Sequence, residues 1–130
     1  MRRLFLSLLL ILAALAPAVA EPRVALVIGN SKYTGDLPRL TNPDNDAELM
    51  AATLKKLGFQ VVKVQDADLN QMKRAIQDFG TKLTSAGKDA VGLFFYAGHG
   101  LQISGSNYLI PVNAKIEKSA DADLEAIDAN

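Results

Sequence analysis

Three short apolar runs, separated by longer stretches with helical spacing, constrain this chain more than any other feature. Arg23 to Gly29, Phe59 to Val64 and Ala90 to Tyr96 are rich in apolar and β-branched residues with little polar alternation. Strands buried on both faces read this way. Alternation of such strands with helices implies a parallel sheet with crossover helices, an α/β class. The unbroken apolar character of the third run predicts a central place in the sheet.

The two intervening stretches carry start and stop signals. Asn42-Pro43-Asp44 opens the first: asparagine suits a cap, proline the first helical position, and acidic residues the first turn. Ala47, Met50, Leu54 and Leu57 then form one apolar stripe, with Gly58 just past the end. In the second, Asp68 and Gln71 have capping-box spacing, and Leu69, Met72, Ile76, Phe79 and Leu83 give the buried face before Gly87. Beyond the third strand, Leu101–Ile103 and Tyr108–Val112 flank Ser104-Gly105-Ser106-Asn107, a hairpin signal. From Asp121 the spacing of Leu124 and Ile127 predicts the start of another helix.

Residues 1–20 are set apart from the fold. Met1-Arg2-Arg3 is a positive n-region, Leu4 to Leu15 an apolar run of signal-peptide length, and Ala18-Val19-Ala20 a small-residue cleavage site. The run is shorter than the roughly 20 residues of a membrane span, and Pro17 interrupts its end. An exported protein, periplasmic or secreted, is expected, with no stable span after cleavage. Without Arg2 and Arg3, 12 basic residues stand against 14 acidic ones, which gives no basic face for nucleic acid. The chain contains no cysteine, so it has neither disulfides nor a cysteine-based metal site. Its single histidine, with no tight carboxylate cluster nearby, argues against any metal.

That histidine, His99, lies between Gly98 and Gly100 where the third apolar run ends. Sites of open α/β sheets gather outside the carboxyl ends of the strands, and flanking glycines let a backbone turn and approach a ligand. Histidine is also the usual general acid or base near neutral pH. A lone histidine is by default structural, and a phosphate loop is a further alternative. The dinucleotide fingerprint, however, needs a third glycine where Ile103 stands.

Five segments in order, Ala25-Leu26-Val27-Ile28-Gly29-Asn30, Asn45-Asp46-Ala47, Leu57-Gly58-Phe59, Phe94-Phe95-Tyr96-Ala97-Gly98-His99-Gly100 and Asn107-Tyr108-Leu109-Ile110-Pro111-Val112, carry a specific likeness. Residues 23–130 resemble the large-subunit part of the caspase family of cysteine peptidases, in particular its bacterial caspase-like and metacaspase branch. The resemblance implies a three-layer αβα fold with a mainly parallel sheet over residues 21–130, cut before the fold's last strands and so incomplete at its C-terminus. It makes His99 the catalytic histidine of a Cys–His dyad and the backbone N–H of Gly100 an oxyanion-hole donor. The family's nucleophile lies in an Asp-x-Cys motif beyond the histidine, and the chain ends before one.

Two positions bear on specificity through the same resemblance. Caspases that cut after aspartate have an arginine where this chain has Leu40, with Arg39 adjacent. In metacaspases the position matched by Asp46 is an acidic wall of the S1 pocket, and Ala97 matches a small residue lining it. This implies cleavage after Arg or Lys. Asp46 reads equally well as an exposed residue favouring the helix macrodipole. Phe94, Phe95 and Tyr96 read as core. The expected partner is a protein or peptide substrate, and no cofactor is implied; family members vary in calcium dependence, self-processing and attached domains. The alternative is a pseudoenzyme or interaction module lacking the nucleophile.

Overall fold

The computed structural model describes residues 19–130; the leader expected over 1–20 lies almost wholly outside them. Strand β1 (Arg23–Gly29) is followed by helix α1 (Pro43–Lys56), β2 (Gln60–Gln65), α2 (Leu69–Ala86) and β3 (Val91–Ala97). The three strands form a parallel sheet in the order β2-β1-β3. Alternate side chains of β1 face opposite layers. Ala25 and Val27 pack with Ala47, Ala51 and Leu54 of α1. Leu26 and Ile28 pack with Met72 and Ala75 of α2. The helices therefore cover opposite faces, giving the αβα sandwich.

The position of β3 corrects one expectation. β1, not β3, is central and is buried from Val24 onward, whereas β3 is an edge strand among the described residues, with Val91 40% and Phe94 43% exposed. An apolar run reports how a strand's faces are covered and says little about whether both hydrogen-bonding edges are paired.

The helix ends are set by local chemistry. Pro43 occupies the start of α1, but Asn42 makes no side-chain cap. The Asp44 N–H donates instead to the hydroxyl of Ser31 at 3.0 Å, from the loop after β1. A Cβ on Gly29 would lie 2.5 Å from the Pro43 carbonyl oxygen, so glycine lets α1 start directly over the end of β1. Leu57, expected in the apolar stripe, is 54% exposed beyond the last turn. In α2 the capping box forms as read: the Gln71 N–H donates to Asp68 at 2.8 Å and the Asp68 N–H to the Gln71 side chain at 2.9 Å.

A second, antiparallel sheet follows, made of β4 (Gly100–Ile103), β5 (Ser106–Leu109) and β6 (Ile127–Asp128) in that order. The hairpin turn is two residues, Ser104 and Gly105, both with positive φ (50° and 87°), the primed geometry that matches strand twist. The helix expected from Asp121 is the four-residue turn α3 (Ala122–Glu125). It buries Ala122 and leaves Leu124 73% exposed. Ile127 then leaves the helix to pair with Leu109. Strand pairing to β5 and the bond from the Tyr108 hydroxyl to Asp123, 2.6 Å, override a weak helical period. No described helix is long and apolar enough to cross a membrane.

Candidate active site

His99 sits in the two-residue link between β3 and β4, where the chain leaves the parallel sheet for the antiparallel one. Its backbone is held on both sides. The His99 N–H donates to the Tyr33 hydroxyl at 2.8 Å, and that hydroxyl donates to the Ile110 carbonyl at 2.9 Å. The Tyr96 hydroxyl donates to the His99 carbonyl at 2.7 Å and accepts the Ile110 N–H at 3.2 Å. Burial raises the Tyr33 phenol above its ordinary value and, with the Tyr33 contact, the Tyr96 phenol further. Both stay protonated donors across the neutral range.

The imidazole is oriented by two contacts. Nε2 lies 2.8 Å from the Pro38 carbonyl oxygen, and the ring meets Tyr33 edge-on, with centroids 4.5 Å apart. A carbonyl only accepts, so Nε2 carries the proton in the neutral ring and Nδ1 presents a lone pair.

The glycines act differently from the sequence expectation. Neither Gly98 nor Gly100 has positive φ. A Cβ on Gly98 would lie 2.5 Å from the Tyr96 hydroxyl and 2.8 Å from that of Tyr33, so this glycine makes room for the tyrosine pair. A Cβ on Gly100 would meet only the Tyr108 carbonyl, at 3.5 Å.

Asn30 is the hub beneath. Fully buried at the end of β1, it accepts the Ala67 N–H at 2.8 Å, donates to the Ile110 carbonyl at 3.3 Å, and its own N–H donates to the Ala97 carbonyl at 2.9 Å. One side chain and its backbone thus tie together the ends of β1, β3 and β5 and the start of the β2–α2 link. Asp66, in the left-handed region at φ 51°, adds to this brace. It accepts the N–H groups of Ser31 and Lys32 at 3.0 and 2.8 Å and pairs with the Lys32 ammonium at 3.2 Å.

The residues expected to act together separate into two groups. His99 and Gly100 are adjacent at the sheet junction. Ala97 ends β3 in register with Gly29, and Asp46 lies exposed in the first turn of α1, lining a shallow groove with Leu49, Met50, Thr53 and Phe95. Phe95 and Ala97 share a face of β3, so Asp46 and Ala97 belong to the α1 side of the sheet. Leu40 packs against the core cluster around Tyr33 and Ile110, while Arg39 is exposed. Among the described residues no cluster of three metal-ligating side chains occurs.

Tyr33, Pro38 and Asn30 were not singled out from the sequence. Asn30 had a signal, a polar residue directly extending a wholly apolar run. Pro38 had none, because it contributes a main-chain oxygen.

Residues 22–128 match the caspase domain family. The human mucosa-associated lymphoid tissue lymphoma translocation protein 1 is 35% identical to the chain over 96 residues, covering 74% of this chain and 11% of that protein. The mouse homolog of that protein matches to the same extent. The chain thus matches only a small part of the length of these curated relatives.

Proposed function

The chain belongs to the caspase domain family, and from that premise we propose that it is the histidine-bearing part of an exported cysteine endopeptidase. The observation that carries the reading is the 2.8 Å contact between His99 Nε2 and the Pro38 carbonyl. It leaves Nδ1 as the base at the carboxyl end of the sheet.

His99 Nδ1 takes the proton of a thiol, and the thiolate attacks the scissile carbonyl carbon. The Gly100 N–H stabilises the oxyanion that forms. As the C–N bond breaks, the proton on Nδ1 goes to the departing amine, and water then hydrolyses the acyl-enzyme with the same imidazole as base. A dyad of this kind needs no cofactor. The 130 residues contain no cysteine, so the thiol comes from outside them and the activity belongs to a longer polypeptide. Asp46, with Ala97 as a small floor residue, forms the S1 wall for the cation of an Arg or Lys residue.

In the longer polypeptide, His99→Ala is expected to lower kcat by about 10³-fold or more, and Asp46→Asn to raise KM for arginyl peptides selectively. Preferred cleavage after aspartate would sink the S1 assignment, and a His99→Ala variant with full activity would sink the dyad. The positive n-region and apolar run predict cleavage near Ala20, checked by amino-terminal sequencing of the mature protein.

The absence of cysteine also favours a second reading, a catalytically inactive caspase-like module that binds other proteins. A longer polypeptide with no thiol near His99 and no hydrolysis of any peptide would establish it.

A further inference from the structure

The face of β4 beyond His99 is a second recognition surface, and we propose that it binds the part of a peptide substrate that follows the scissile bond. The inference rests on the peptidase reading and adds a subsite to it.

Hydrogen-bond parity in the hairpin comes first. The Ile110 N–H donates to the His99 carbonyl at 3.1 Å, which puts His99 and Ile110 at a hydrogen-bonded position of the ladder, with the His99 N–H taken by Tyr33. Antiparallel pairs alternate, so Gly100–Leu109 and Gln102–Asn107 are non-hydrogen-bonded pairs. The N–H and C=O groups of Gly100 and Gln102 therefore point out of the hairpin. They form an edge with no strand partner among the described residues. Unpaired groups at this spacing are complementary to an extended peptide backbone.

Side-chain parity comes second. His99, Leu101 and Ile103 alternate onto one face, where Leu101 and Ile103 line a groove whose apolar wall is completed by Leu37 and Ile116 and whose remaining lining is Glu117, Lys118 and Ser119. Leu37 directly precedes Pro38, whose carbonyl orients His99, so one segment of chain borders both the groove and the histidine.

These two facts set direction and register. The first outward donor of the edge is the Gly100 N–H, the group assigned to the scissile carbonyl. The amine released must receive its proton from His99, so the segment beyond the bond runs on the histidine's side, along β4. Ala97 and Asp46, on the α1 side of β3, take the segment before it. With the scissile carbonyl on the Gly100 N–H, parallel pairing brings the N–H of the second residue after the bond to the Gly100 carbonyl. Its C=O then meets the Gln102 N–H. The second and fourth residues after the bond face the same way as Leu101 and Ile103, so the ligand class is an extended peptide with apolar residues at those two positions.

The test uses Ala-Leu-Ala-Leu-amide with a free amino terminus, a product-like probe, and Ala-Ser-Ala-Ser-amide as its control, each titrated into the isotope-labelled chain. The leucine peptide is expected to shift the Gly100 and Gln102 amide resonances, slow their hydrogen exchange, and bind at least about tenfold more tightly than the serine peptide. Leu101→Ser should erase that preference. Gln102→Pro removes an outward N–H not used in the hairpin ladder, and should weaken the leucine peptide while the Leu101 and Ile103 resonances stay in place. Equal binding of the two peptides, or shifts confined to β3, would overturn the proposal. Binding here by a protein whose longer form hydrolyses nothing would remove the peptidase reading and leave the groove. Hydrolysis indifferent to the second residue after the bond would do the reverse.

Discussion

At the scale of residues, two glycines that look equivalent in sequence have opposite reasons for being glycine. Gly98 is enforced from within the fold, because two tyrosine hydroxyls occupy the place of its Cβ. Gly98→Ala is expected to cost about 1–3 kcal/mol by overpacking, read as a lowered urea midpoint. Gly100 is under no such pressure, since its Cβ would make one ordinary contact at 3.5 Å. Gly100→Ala should therefore leave stability within about 0.5 kcal/mol of the parent, and it keeps the backbone N–H assigned to the oxyanion. A Gly100→Ala chain that unfolds as readily as Gly98→Ala would show that the second glycine is structural too. His99 itself was legible because it stands alone at a strand end; most of what positions it was not, since the Tyr33 hydroxyl and the Pro38 carbonyl reach it by tertiary approach that no local spacing encodes, and the neighbouring Tyr96 reads from its apolar run as core.

Single elements show where sequence patterns lose their force. The capping box of α2 was readable because both partners lie within one turn, whereas α1 takes its cap from Ser31, on another element. The residues from Asp121 to Ile127 fail as a long helix because β5 offers backbone hydrogen bonds that a short amphipathic period cannot match. The loop after β1 depends on Asp66. Burial alone would raise its carboxyl, but the N–H groups of Lys32 and Ser31 and the Lys32 ammonium outweigh this and hold it below its ordinary value of 3.8. For a lowered group the stabilisation is complete above the ordinary value and is lost as pH falls through the folded one. Unfolding midpoints should therefore drop below about pH 4, and less steeply in Asp66→Asn, whose amide oxygen can accept the same two N–H groups but does not titrate. Parallel acid limbs for the two chains would show that this brace contributes nothing.

For the molecule as a whole, the layers and the parallel sheet were legible because each strand and each crossover helix carries its own hydrophobic period. Strand order was not, since a one-dimensional pattern does not record which edges meet. The consequence is an open edge along β3, where Val91 and Phe94 are exposed among the described residues. Open, apolar edges template pairing with other chains. The chain is expected to associate with rising concentration in sedimentation velocity. Val91→Lys should shift that association to roughly tenfold higher concentration. A parent chain that stays monomeric into the hundreds of micromolar, on the order at which edge pairing sets in, would show the edge to be protected.

The orientation of His99 rests on an oxygen of the main chain, that of Pro38. An orienting carboxylate can be deleted by one codon change, but a backbone carbonyl is present whatever residue occupies the position. Genetic screens are therefore poorly suited to this contact, because no substitution at position 38 removes the carbonyl itself. An amide-to-ester replacement at the Pro38–Arg39 linkage, which weakens the carbonyl as an acceptor, is the chemical edit that reaches what mutation cannot.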